Sequence, residues 1–224
     1  MEQVASSYEH FSRQQNWPIK TIGEIAERVA MGPFGSNIKV STFVDSGVPI
    51  VSGNHLRGYF LDDNEFNYIT AEHAERLKNS KVRRGDIVFT HAGNIGQVSM
   101  IPNTSDYCEY MLSQRQFFLR CNRRKAISEY ILFFFHSGEG QHELLSYANQ
   151  TGVPSIAQPA SNLKKIPFPC PPIEAQQDWI ETVNPLIEKY LTTCLETKRL
   201  AILRDSLLPK LMSGAIDVDA IEVD

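Results

Sequence analysis

Four prolines in six residues, Pro167, Pro169, Pro171 and Pro172, constrain this chain more than any other feature. Each fixes φ and removes an amide donor, so 167–172 is extended and can be neither a helix nor a central strand. Ile173-Glu-Ala-Gln-Gln then opens a helical pattern with acidic and amide residues in its first turn. Asn184-Pro185 predicts an end and a restart, because Asn caps helices well and Pro is tolerated at the first helical position. The second helix, from Pro185 to about Met212, would be about 40 Å long. Ile187, Leu191, Leu195 and Ile202 recur in fours and a seven, and Leu200, Leu203, Leu207 and Leu211 in threes and fours. Two covers for that stripe stay open: another long helix in a coiled-coil-like pairing, or the chain's own domain. Pro209 predicts a kink or stop near Leu208.

The 224 residues suffice for one ordinary domain and an appendage, or two small domains. The longest apolar run, Tyr130-Ile-Leu-Phe-Phe-Phe, is too short for a membrane span, and the N-terminus lacks the apolar core of a signal peptide. Cys108, Cys121, Cys170 and Cys194 are scattered without metal-ligand spacing, which reads as reduced thiols in the cytoplasm. The net charge of −4 argues at first against a nucleic-acid partner, but its distribution is uneven. Residues 172–224 carry five Lys/Arg against ten Asp/Glu, whereas 76–125 carry ten against three. That basic segment is a partial footprint for phosphate.

Residues 1–16 form an N-terminal arm, read as a short helix or a loose segment. From Trp17 the pattern predicts a short strand and a two-turn helix with Ile22, Ile25, Ala26 and Val29 inward. Gly32-Pro-Phe-Gly makes a shaped turn. Strands are expected at 47–52, 94–102 and 111–120, and 82–90 reads as a turn leading into a strand, with helices at 70–77, 128–136 and 143–148, and a loop at 151–159. The fold class is therefore α+β: a mostly antiparallel sheet or partial barrel with flanking helices, followed by a long coiled-coil-type helix. The organisation is an arm at 1–16, a globular domain at 17–171, a helical region at 172–215 and an acidic tail at 216–224.

Enzyme motifs are missing. There is no P-loop, no dinucleotide fingerprint and no zincin helix, and Cys170-Pro-Pro-Ile is not the Asn-Pro-Pro-aromatic site of amino-group DNA methyltransferases. What remains are loops rich in groups that read nucleic acid. Ser36, Asn37 and Lys39 follow one glycine turn. Asn54, His55 and Arg57 share a second loop, His91, Asn94 and Gln97 flank a third, and Gln114 and Arg115 sit in or beside a strand. Arg pairs with guanine, and Asn or Gln with adenine, through two parallel hydrogen bonds. Lys78, Lys81, Arg83, Arg84 and 123–125 would instead serve phosphates.

The entry Pro-Pro-Ile-Glu-Ala-Gln-Gln and the stretch Leu203-Arg-Asp-Ser-Leu-Leu-Pro-Lys-Leu-Met-Ser-Gly resemble the conserved helical region of the DNA-specificity subunit of type I restriction–modification enzymes. Gly32-Pro-Phe-Gly-Ser-Asn-Ile-Lys, Arg84-Gly-Asp-Ile-Val-Phe-Thr-His-Ala-Gly-Asn-Ile-Gly and Thr151-Gly-Val-Pro-Ser-Ile resemble its target-recognition domain. The likeness covers roughly 17–215 and adds Thr151 and Ser155 to the DNA-facing candidates. It implies a non-catalytic, cytoplasmic subunit that reads one half of a split site in double-stranded DNA. It also implies docking of methyltransferase subunits, which bind S-adenosylmethionine, and through them restriction subunits; this chain would hold no cofactor. Full-length members carry two recognition domains and two helical regions, whereas this sequence has one of each. The resemblance then implies an antiparallel homodimer through Ile187, Leu191, Leu195, Ile202, Leu203, Leu207 and Leu211, reading an interrupted palindrome. The alternative is a regulatory or inhibitory protein that occupies a methyltransferase without productive DNA reading.

Overall fold

The computed structural model describes residues 1–149 and 152–215; Thr151 and the acidic tail 216–224 lie outside the described residues. The chain divides into two compact units, one spanning Glu2–Thr182 and the other the part from Val183 onward, with which Met1 is grouped. In chain order the elements are α1 (Glu2–Arg13), β1 (Ile19–Thr21), α2 (Ile22–Ile25), β2 (Ala26–Met31), β3 (Val48–Val51) and β4 (Tyr68–Ile69). Next come α3 (Ala71–Arg76), β5 (Lys81–Arg83), β6 (Ile87–Thr90), β7 (Val98–Met100), β8 (Glu109–Leu112) and β9 (Gln116–Cys121). The remainder is α4 (Ser128–His136), α5 (Gly138–Leu145), β10 (Ala148–Asn149), β11 (Ser155–Ile156), α6 (Pro159–Leu163), β12 (Pro167–Pro169) and α7 (Ile173–Met212).

Two four-stranded sheets, ordered β2-β9-β6-β7 and β4-β3-β8-β5, form the body. The first is antiparallel throughout, and the second has one parallel pair, β3 with β8. The expected α+β class therefore holds. The reason β6 reads as an unbroken apolar run is that it is covered on both faces. Val88 and Phe118 point into a core shared with Val51, Val82, Tyr110 and Leu112 of the second sheet. Phe89 points the other way, stacked on Phe117 at 5.0 Å and edge-on to Phe135 of α4 at 4.9 Å. Successive strand residues alternate faces, so one strand serves both layers.

Tyr130 through Phe135 of α4 are all buried. On its outer side α1 packs through Val4 and Tyr8, with ring centroids of Tyr8 and Tyr130 5.1 Å apart. The N-terminal arm is thus a helix fastened to the body. Trp179, in the first turns of α7, joins the same aromatic group and donates Nε1–H to the Ser7 hydroxyl at 3.2 Å. Gln176 is fully buried: its Oε1 accepts from the Ile127 amide at 3.0 Å and its Nε2 donates to the Pro171 carbonyl at 2.8 Å. The proline exit and the helix start are stitched to α4 by that one amide. β12 pairs only with β1, the edge position that proline permits.

Several expectations are corrected. The two-turn helix after Trp17 stops at Ile25, because Ala26–Met31 is drawn into the ladder with β9. The strand expected over 111–120 is two strands in different sheets, separated by a turn at 113–115. The helix expected at 143–148 lies earlier, as α5, and 148–156 includes the two short paired strands β10 and β11. The break at Asn184-Pro185 does not occur: α7 runs 40 residues through both Pro185 and Pro209. Asn184 does not cap a new helix but donates Nδ2–H to Glu188 within the same one, at 2.7 Å. One lost helical bond at each proline, a cost of about 3 kcal/mol, is carried by the turns on either side.

In the unit from Val183 onward, Ile187 is buried and Leu191, Leu195 and Leu207 are half-buried, so the first part of the stripe is not bare. Leu200, Ile202, Leu203 and Leu211 are exposed. Among the described residues no helix is long and apolar enough to cross a membrane, and no group of His, Cys, Asp or Glu could hold a metal ion.

Candidate nucleic-acid interface

The topology collects five loops at one end of the body. β2 pairs Met31 with Phe117, so the loop after Met31 leaves beside the start of β9. β6 pairs Thr90 with Gln116, which puts the β6–β7 loop there too. β3 runs parallel to β8, Val51 opposite Leu112, so the segment 52–58 leaves beside the 113–115 turn. The β10–β11 hairpin closes the set through a bridge between Ala92 and Ser155 and a bond from the Gly93 amide to the Pro154 carbonyl at 2.9 Å.

A relay of side chains locks these loops together. Ser113 donates to Gln116 Oε1, and Gln116 Nε2 donates to the Thr90 hydroxyl at 3.4 Å. Thr90 donates to Gln97 Oε1 at 3.1 Å, and Gln97 Nε2 donates to the Gly53 carbonyl at 3.1 Å. Gln114 donates Nε2–H to the carbonyls of Gly35 and Ile38, and the Gln114 carbonyl accepts from His91 Nε2 at 3.1 Å. Gly32 must be glycine, since a Cβ there would lie 1.9 Å from the Ser113 carbonyl oxygen. Each bond contributes only about 0.5–1.5 kcal/mol net, but together they fix the loops relative to one another.

The candidate residues divide on this framework. Asn37, Lys39, Asn54, Arg57, Asn94 and Arg115 are exposed on the loops, with Arg115 lying against Gly93. Ser155 is half-buried at the hairpin bridge. Gln97 and Gln114 are ties within the framework. His55 is buried, stacked on Phe66 at 4.4 Å, and its Nδ1 accepts from the Ser52 amide at 2.9 Å. Burial holds its pKa below the usual histidine value. Ser36 belongs to the first loop by position. Between the 53–58 and 91–97 loops lies an open cavity of about 490 Å³ lined by Arg57, Ile95, Gln97, His136 and Gln141.

The basic segment 76–125 is less available than its charge suggests. Lys81 pairs with Glu75 at 2.8 Å and Glu109 at 3.3 Å. Arg84 donates to the Ser105 carbonyl at 2.6 Å, and its Nε is buried. Arg120 grips Asp86 with two bonds, 2.8 and 2.6 Å. Burial pushes the Asp86 carboxyl up, while Arg120 and the Arg83 amide oppose that. Arg83, Arg84 and 123–125 sit at the opposite end of β6 from the five loops, and β6 separates Asp86 from Thr90 by about 13 Å. Sequence reasoning passed over Thr90 as a component of the framework; a polar residue closing an apolar strand was its one signal.

The five loops share one electrostatic property. The stretches 32–44, 52–58, 91–97, 113–116 and 152–158 contain no Asp or Glu; Asp45, Asp62, Asp63 and Glu65 lie further along the first two loops. Lys39, Arg57 and Arg115 are their charged side chains, with His91 beside them.

Geometrically this end is a platform that presents loops. A model of the type I restriction modification DNA specificity domain matches residues 14–202, and the chain belongs to that family. The fold is similar to that of the HsdS subunit from Thermoanaerobacter tengcongensis (TM-score 0.56, 14% identity, 96% of this chain and 51% of that one). It is equally similar to the type I restriction–modification system S subunit from M. genitalium (0.56, 17%, 90% and 47%). A chain from a structure describing complex assembly and conformational transition of the type I R-M system matches at 0.55, with 16% identity, 93% and 52% coverage. The chain spans about half the length of these solved subunits. No curated protein matches it in sequence.

Proposed function

We propose that this chain is a non-catalytic DNA-reading module of a type I restriction–modification complex, recognising one half of a bipartite site with the five-loop end of its body. The observation that carries this is the loop set on a hydrogen-bonded frame, whose stretches at that end carry Lys39, Arg57 and Arg115 and no Asp or Glu. Phosphate oxygens meet no fixed negative charge there, and the exposed Asn and Arg side chains can address base edges. Lys39 and Arg57 serve the backbone; Asn54, Asn94 and Arg115 read bases; Asn37, His91 and Ser155 border them, as do Ser36 and Thr151 by sequence position. The exposed apolar positions of α7 pair with a second copy of the chain, antiparallel about a two-fold axis, and dock methyltransferase subunits that hold S-adenosylmethionine. Restriction subunits join through those partners. The complex works in the cytoplasm on double-stranded DNA.

The test is a salt-titrated binding assay of the full chain on random-sequence duplexes, with and without a methyltransferase subunit. Enrichment of one interrupted motif, lost in Arg115→Ala and Asn54→Ala, is expected. Retention of the methyltransferase subunit with no sequence enrichment would overturn DNA reading in favour of an inhibitory role.

A further inference from the structure

Phe34 is the one exposed Phe, Tyr or Trp among the described residues, with 72% of its surface open to solvent. It is not on a loose loop. On one side Gly32 is wedged against the Ser113 carbonyl, its amide donates to Gln116 at 2.8 Å, and Pro33 is buried. On the other side the carbonyls of Gly35 and Ile38 accept from Gln114, and the Asn37 carbonyl accepts from His73 Nε2 at 2.7 Å. The carbonyl of Phe34 itself accepts from Asn37 Nδ2 at 2.6 Å. Gly35, at φ +62°, turns the chain sharply just after it. A fixed backbone therefore holds a large apolar ring in water, forgoing a burial worth about 1.5–3 kcal/mol.

We propose that Phe34 is an apolar wedge that enters the base stack of the bound duplex, an inference that rests on the DNA reading above. Its surroundings match duplex DNA better than a protein surface. The turn that pins its loop carries Arg115, Lys39 lies five residues on, and no Asp or Glu lies within ten residues of Phe34 on the C-terminal side. Inserting a ring between two base pairs unstacks one step at a cost of a few kcal/mol, least at flexible pyrimidine–purine steps. The wedge thus confers sequence preference where no hydrogen bond reads a base, and it bends the duplex about the fixed loop frame.

The experiment selects a pool of 40-bp random duplexes with the full chain and with Phe34→Ala, Phe34→Leu and Ile19→Ala. Ile19 is also exposed, but on β1, away from the loop end. Wild type and Ile19→Ala should favour a pyrimidine–purine step at one fixed position by roughly five-fold or more. 2-Aminopurine placed at that step should brighten on binding. Phe34→Ala should lose both effects while keeping its melting temperature and the salt dependence of binding, and Phe34→Leu should keep part of them. Wild type that holds no duplex at low salt overturns the DNA reading and the wedge together. Wild type that binds with sequence preference, with Phe34→Ala unchanged in step preference and fluorescence, overturns the wedge alone. Phe34→Ala that loses a methyltransferase subunit but keeps the fluorescence rise assigns the ring to a protein contact and also overturns it.

Discussion

Gln97 spans two loops: its Nε2 donates to the Gly53 carbonyl at 3.1 Å while its Oε1 accepts from Thr90 at 3.1 Å. Both ends of the amide are engaged inside the protein, so Gln97 positions Asn54 and Arg57 instead of touching a base. Gln97→Ala should lower stability by about 1–2 kcal/mol and weaken binding to every duplex alike. Asn54→Ala should leave stability unchanged and relax preference at one position. Urea denaturation with duplex selection separates them; altered base preference in Gln97→Ala at constant affinity would contradict the positioning role.

The division of the cations predicts a pattern in salt titrations. Each phosphate contact adds close to one unit to the slope of log K against log salt. Lys39→Ala and Arg57→Ala should each flatten that slope by about one. Lys81→Ala should leave it unaltered, because Lys81 is held between Glu75 and Glu109. A flatter slope in Lys81→Ala would move the phosphate path to the outer face of the second sheet.

Asp86 is 1% exposed and bonded to Arg120 twice and to the Arg83 amide at 2.8 Å. Removing one member of a buried pair strands the other charge. Asp86→Ala should therefore destabilise the fold by about 3–5 kcal/mol. Because the pair sits at the opposite end of β6 from the loops, DNA affinity per folded molecule should be preserved. Chemical denaturation and active-site titration with duplex would check both halves.

His55 and His136 make the fold sensitive to mild acid. Burial lowers both pKa values from 6.5. His55 Nδ1 accepts from an amide, which requires a neutral ring, whereas His136 Nε2 donates to the Val98 carbonyl at 2.9 Å, a bond that opposes the effect of burial without overcoming it. Below pH 6.5 the unfolded chain takes up these protons while the folded one resists. Stability is therefore full above about pH 6.5 and falls as pH drops toward the folded-state values. The lowered carboxylates Glu24, Glu75 and Asp205 act only at lower pH. Melting temperature should decline from pH 7 to 5, and His136→Phe should flatten part of that decline. A melting temperature constant over this range would refute the neutral-ring reading.

Much of this arrangement is legible in the residues, and the illegible part has a common cause. Strand β6 and helix α4 announce themselves because burial on both sides makes an unbroken apolar run. The exposed loop candidates stand out as Asn, Lys and Arg between glycines. Gln97, Gln114 and His55 look identical to readers in sequence, and only long-range pairing tells a framework amide from a free one: Gln97 and Gly53 are 44 residues apart. The basic stretch misleads for the same reason, since Glu75, Glu109 and Asp86 neutralise it through space. Helix α7 misleads locally, because proline's cost in a short peptide is set against a helix long enough to absorb it.

The exposed part of α7 carries two apolar edges, which predicts two different partners. At about 100° per residue, Leu207 and Leu211 lie within roughly 20° of Leu200 on either side, whereas Ile202 lies about 200° from Leu200. Leu200 is 64% exposed and Ile202 62%. Under the proposed function, one edge takes an antiparallel copy and the other a methyltransferase subunit. Leu200→Glu with Leu211→Glu should convert a dimer to a monomer in sedimentation at micromolar concentration. Ile202→Glu should stay dimeric and fail to co-elute with that subunit. If Ile202→Glu is instead the variant that falls apart, the two edges serve a single interface; if wild type is itself monomeric, the two-fold arrangement fails and the palindromic site with it.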